Sequence, residues 1–124
     1  MDQVAEFGSP PQFFVITGGD PFERPDLFEL VRYASDIGLP VAVSPSGTDA
    51  LNRQNLEALR EAGCHAISLS VDGADPHTHD QFRGVAGSHA RTLAGWQMAR
   101  ELGLKVQINT TVTPQNLGEL PDIV

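Results

Sequence analysis

The sequence predicts an α/β fold: an open, curved, parallel sheet of about four strands with three main helices. Three observations predict it. Apolar segments with strand character alternate with helical patterns. Each helical pattern exits through a similar glycine-bearing run, "DIGLP", "EAGCH" and "ELGLK". The strand segments are apolar on one face and small or polar on the other.

The elements follow in order. Met1–Gly8 reads as the tail of a helix, and Phe13–Thr17 is the first apolar strand. Leu27, Leu30, Val31 and Ala34 then follow the i, i+3, i+4, i+7 spacing of one helix face. Pro25 suits the first turn of that helix, Asp26 and Glu29 complement its dipole, and Gly38 suits its stop. Val41–Ser44 is the second strand. Arg53–Ala62 is the second helix, capped by Asn52 and stopped by Gly63. Ala66–Val71 is the third strand. A short capped helix over His77–Asp80 follows Asp75-Pro76. The third main helix runs from a Ser88 cap through Leu93, Trp96 and Leu102 to Gly103, with Trp96 expected in the core. Val106–Val112 is the fourth strand. Helical crossovers between successive strands are right-handed, which makes such a sheet parallel.

Composition bounds the function. The chain has 124 residues, the size of one domain, with 40% hydrophobic and 19% charged residues. No apolar run approaches the roughly 18 residues a membrane helix needs, and no basic-then-apolar leader is present. The expectation is a cytoplasmic protein without a membrane partner. A net charge of −8 with scattered basic residues disfavours nucleic acid. Cys64 is the one cysteine, which excludes a disulfide framework and any multi-cysteine metal site supplied by these residues alone. It is expected to pack as a small hydrophobe. His65, His77, His79, Asp80 and His89 are read as structural rather than metal-binding, since an i, i+2 histidine pair shares no helix face.

The strands locate a site. Ile67, Leu69 and Val71 alternate with Ser68, Ser70 and Asp72, and Val106, Ile108 and Val112 with Gln107, Asn109 and Thr111. Side chains alternate between the faces of a strand. A doubly wound sheet is apolar on both faces, so a polar inner face suits an open sheet with a ligand inside it. Polar residues also cluster where the strands end: Thr17-Gly18-Gly19-Asp20, Ser44–Thr48, Ser70–Gly73 and Asn109–Thr113. Parallel α/β folds build their sites there. Gly18 and Gly19 lack a Cβ and let the backbone approach a ligand closely. Asp20 is an acceptor for an ammonium group, and Pro21 stiffens the exit. The same four residues also make an acceptable plain turn.

The runs "TGGDPFERPDL", "SLSVDGADPHTHDQFRGVAGSHART" and "QINTTVTPQNLGELP" together resemble the radical S-adenosylmethionine (SAM) enzymes. The resemblance is to the branch with a C-terminal SPASM-type auxiliary-cluster domain, which includes haem-maturation and peptide-modifying enzymes. It implies a partial (β/α)6, TIM-like barrel with SAM inside. It also implies that residues 1–124 hold the second to fifth strands of a partial radical SAM core domain.

Residue roles follow from the resemblance. Gly18, Gly19 and Asp20, with Pro21 behind them, match a Gly-Gly-Glu motif that binds the SAM amino group; Asp20 is one methylene shorter. Ser44 falls near the methionyl part or the substrate, and Ser70 and Asp72 at the position reaching the ribose or carboxylate. Arg83 matches a residue pairing with the SAM carboxylate, and Asn109 and Thr111 fall near the adenosine. The implied chemistry is reductive cleavage of SAM by a [4Fe–4S] cluster to a 5′-deoxyadenosyl radical, with flavodoxin or ferredoxin as electron donor to the parent oxidoreductase. The cluster needs a Cys-x-x-x-Cys-x-x-Cys loop after the family's first strand, and these residues contain none. The chain therefore reads as an internal piece of a longer enzyme, inactive by itself. The residues alone leave two other readings open: a non-catalytic SAM- or nucleotide-binding module, and a flavodoxin-like scaffold domain.

Overall fold

A computed structural model of the chain describes residues 1–8, 10 and 12–123. Four parallel strands, β1 (Phe14–Ile16), β2 (Val41–Val43), β3 (Ala66–Ser70) and β4 (Lys105–Asn109), form one sheet in the order β1-β2-β3-β4. The helices are α1 (Asp2–Ala5), α2 (Leu27–Asp36), α3 (Arg53–Glu61), α4 (Pro76–Arg83), α5 (Ser88–Glu101) and α6 (Leu120–Ile123). Short 3-10 turns cover Pro21–Glu23 and Leu117–Glu119.

Register places Phe14 and Ile16 beside Val41 and Val43, Val43 beside Ile67, and Ile67 and Leu69 beside Val106 and Ile108. That face buries Val41, Val43, Ile67 and Leu69 against Leu27, Val31, Ala34, Leu56, Leu59 and Ala99 of α2, α3 and α5. The opposite face carries Val15, Ala42, Ser68, Ser70, Gln107 and Asn109, and no helix of the core cluster covers it. Strands in sequential order with their helices on one face form an arc of a (β/α) barrel. A flavodoxin-like domain reverses its strand order and covers both faces, so the scaffold reading fails on topology.

Several local expectations hold. Gly38, Gly63 and Gly103 each follow a helix at φ of 78°, 90° and 75°. Asn52 caps α3 by accepting from Asn55 N at 3.0 Å. Cys64 is buried, and burial pushes its thiol up to about 11.

Others are corrected. The short helix after Asp75-Pro76 continues to Arg83, because Asp75 caps it through His77 N and Gly84 closes it in the left-handed conformation. Ser88 is the first residue of α5 and not its cap. The Asp80 carboxylate does the capping, accepting from Gly87 N at 2.6 Å and His89 N at 2.8 Å. These bonds hold its carboxyl below the usual range. The fourth strand ends at Asn109, so Thr111 lies beyond it. Thr110 Oγ1 turns to Val71 O and Thr111 N to Asp72 Oδ1, which carries the chain off the strand path. Trp96 is 37% exposed and Leu93 39% exposed, outside the core. α5 buries Ser88, His89, Thr92, Gly95 and Ala99 instead. Close packing against Leu51 selects glycine at position 95, since a Cβ on Gly95 would lie 2.4 Å from Leu51 Cδ2.

Candidate functional site

A cleft of about 290 Å³ opens at the carboxyl ends of β1, β2 and β3. Three walls enclose it. The first is Thr17–Gly19, where Gly18 has φ of 127°, a conformation L side chains rarely adopt. A Cβ on Gly18 or Gly19 would meet no atom within 4 Å, so this backbone faces open space. The second is Ser44–Thr48. The third wall comes from Ser70, from His79 and Arg83 of α4, and from Ser88 and Thr92 of α5.

Asp20 and Pro21 border an adjoining groove that shares Thr17, Gly18 and Gly19 with the cleft. Asp20 Oδ1 accepts from Phe22 N at 3.2 Å, capping the 3-10 turn, and Oδ2 accepts from Thr48 Oγ1 at 2.7 Å. An ionised carboxylate has about four acceptor positions, so these bonds orient Asp20 and leave it able to accept more. Ser46 Oγ donates to Gly19 O at 2.8 Å. The second loop thus holds the Gly-Gly turn at two points. Ser44 Oγ donates to Ser68 O at 3.3 Å.

Asp72 is fully buried and faces away from the cleft. Its Oδ2 accepts from Arg83 Nε at 2.6 Å and pairs also with Nη2, and its Oδ1 accepts from Thr111 N at 2.7 Å. Its backbone N–H donates to His79 Nδ1, and its carbonyl accepts from Asn116 Nδ2 at 2.8 Å. Asp72 therefore supports Arg83 from behind, while the Arg83 side chain, 35% exposed, lines the cleft. Asn109 and Thr111 are exposed at the β4 edge, outside the cleft.

Sequence alone reads His79 as structural and Ser88 as a cap, places Gly47 and Thr48 in a strand-end cluster without individual roles, and gives no role to Thr92 or Glu119. Glu119 accepts from Ala74 N at 2.8 Å, Asp75 N at 3.1 Å and Thr78 Oγ1, tying the end of the chain to the start of α4. Those bonds, Thr78 first, hold its carboxyl below the usual range. Burial and the neighbouring His89 push His79 below the ordinary histidine value of 6.5. Acidification through that value protonates the unfolded chain first, so His79 costs stability as pH falls from about 6.5.

The family model described as the Radical SAM superfamily matches residues 1–124. The chain belongs to that family. It is 45% identical over 97% of its length to the AdoMet-dependent heme synthase of Methanosarcina barkeri. It is 43% identical over 99% to the AdoMet-dependent heme synthase of Oleidesulfovibrio alaskensis. It is 39% identical over 100% to the PqqA peptide cyclase of Rhodopseudomonas palustris. The chain covers 34%, 31% and 32% of these relatives, about a third of each.

Radical SAM enzymes use SAM and a [4Fe–4S] cluster. The cleft and the adjoining groove together fit SAM by their chemistry: open backbone at Gly18–Gly19, the Arg83 guanidinium for a carboxylate, the Asp20 carboxylate in the groove for an ammonium, and hydroxyls between. The residues do not fit the cluster. Cys64 precedes β3, at the opposite strand end from the cleft, and is buried with a raised thiol. Three protein thiolates are needed and these 124 residues carry one cysteine. Anaerobic reconstitution of this polypeptide with iron and sulfide is expected to leave no stable charge-transfer band. One cluster per chain, or 5′-deoxyadenosine released on reduction, would contradict this.

Proposed function

We propose that this chain is the SAM-binding portion of a radical SAM enzyme, its strands corresponding to the second to fifth strands of the family barrel. The observation that carries the reading is the cleft itself, in which the Gly18–Gly19 backbone and the Arg83 guanidinium line one space at the strand ends. Gly18 and Gly19 offer backbone groups to the methionyl part, and Asp20 receives the ammonium. Arg83, braced by Asp72, receives the carboxylate, and Ser44 and Ser70 supply hydroxyls between them. Asn109 and Thr111 border the adenosine side. When bound and reduced by one electron, SAM supplies a carbon radical that abstracts hydrogen. The cluster and the electron donor, of flavodoxin or ferredoxin type, belong to the parent protein. Haem synthases among the relatives make a tetrapyrrole the first substrate class to try.

Asp20→Ala is expected to weaken SAM binding ten- to a hundredfold, since a charge-assisted hydrogen bond contributes about 1.5–3 kcal/mol. Asp20→Asn keeps an acceptor for Phe22 N and removes only the charge, so it separates ligand binding from turn stability. Calorimetry giving unchanged SAM affinity in both variants would reduce Gly18-Gly19-Asp20 to an ordinary turn. The single buried thiol favours a second reading, a binding module without chemistry. That reading gives the same isotherm but no 5′-deoxyadenosine from any longer protein containing these residues.

A further inference from the structure

We propose that the Ser88 hydroxyl donates a hydrogen bond to bound SAM on the Arg83 side of the cleft, and that His79 is the positioning residue that aims it. The inference rests on the SAM reading above. His79 is buried between α4 and α5 and lines the cleft. Its Nδ1 accepts from the Asp72 backbone N–H at 3.1 Å, so Nδ1 carries no proton. The neutral ring then holds its proton on Nε2. Nε2 lies 3.3 Å from Ser88 Oγ. An N–H only donates, so Ser88 Oγ accepts, and its own O–H is left to point elsewhere. Among the described residues that hydroxyl makes no other hydrogen bond. It lines the same cleft as Arg83 and Ser70.

The surroundings keep the ring in this form. The His89 ring of α5 stands edge-on at 5.3 Å, and Arg83 lies one turn along α4 from His79. Both oppose a positive charge on His79, as does burial. Asp72 at the end of β3 and Asp80 on α4 act the other way. Their carboxylates are already engaged, Asp72 by Arg83 and Thr111 and Asp80 by the start of α5. A ligand oxygen near Arg83 would thus meet a guanidinium and an oriented hydroxyl together. The SAM carboxylate is the acceptor that fits both.

The test uses SAM-binding isotherms with the whole chain. Ser88→Ala is expected to weaken binding about ten- to a hundredfold, the worth of one hydrogen bond to a charged group. His79→Asn retains an acceptor for Asp72 N but has no counterpart of Nε2–H, and a similar loss is expected. The double variant should be no weaker than Ser88→Ala alone, because His79 acts through Ser88. Nitrogen-15 spectra of the unsubstituted chain near neutral pH should show His79 as the Nε2–H tautomer, a readout that needs no variant to fold. Unchanged affinity in Ser88→Ala, additive losses in the double variant, or an Nδ1–H tautomer would each overturn the inference while leaving the SAM reading standing. Absence of SAM binding by the unsubstituted chain would overturn both.

Discussion

Asp72→Ala is expected to lower the stability of the chain by about 3 kcal/mol, the low end for removing one partner of a buried ion pair. The low end applies because the Arg83 side chain is 35% exposed and regains some water. Three elements lose an anchor at once: Arg83 on α4, Thr111 after β4, and the β3 exit that carries Asp72 itself. Asp72→Asn keeps an acceptor for Thr111 N and should cost less. Urea unfolding measures both. The same alanine variant should also weaken SAM binding, because the guanidinium it leaves behind is no longer held toward the cleft. An unfolding midpoint unchanged from the parent would show that Asp72 braces nothing.

Gly47→Ala should cost about 2 kcal/mol, within the range for overpacking a well-filled site. A Cβ there would lie 2.4 Å from Thr92 Oγ1, 2.8 Å from Ser88 Oγ and 3.0 Å from the Ser88 carbonyl oxygen. The loop after β2 rests directly on the first turns of α5 through this glycine, and Arg91 Nε fastens it by donating to Gly47 O at 2.9 Å. Thr92→Ala in the same chain removes the closest atom and should recover part of the loss. It cannot recover all of it, since the Ser88 carbonyl is backbone. Thermal melts of the single and double variants decide the matter. A Gly47→Ala chain as stable as the parent would mean that the loop is free to lift away.

Much of the site was legible before folding. The Gly18-Gly19-Asp20 turn announces itself by composition, and the alternation of Ser68 and Ser70 with Ile67 and Leu69 locates a polar inner face. Arg83 was legible only by resemblance. Its partner Asp72 was expected to reach a ligand and is instead fully buried. Alternation along a strand tells which face a side chain takes but not what stands opposite it. Trp96 failed for a related reason: the apolar stripe of α5 suggests its buried face, yet the residues α5 buries include Gly95, packed on Leu51, and Ala99.

The sequence by itself determined the alternation of strands and helices, the glycine helix exits, the Asn52 cap and the turn that opens the cleft. Each depends on neighbours within a few residues, where backbone geometry and side-chain period leave little choice. Only the tertiary structure decided which polar groups line the cleft and which are taken up by contacts within the fold. Thr48 meets Asp20 across 28 positions, Glu119 meets Ala74 across 45, and Asp72 meets Thr111 across 39. A buried carboxylate or imidazole takes whatever partner packing brings within hydrogen-bond reach, because leaving it unpaired costs more than any local preference can offset.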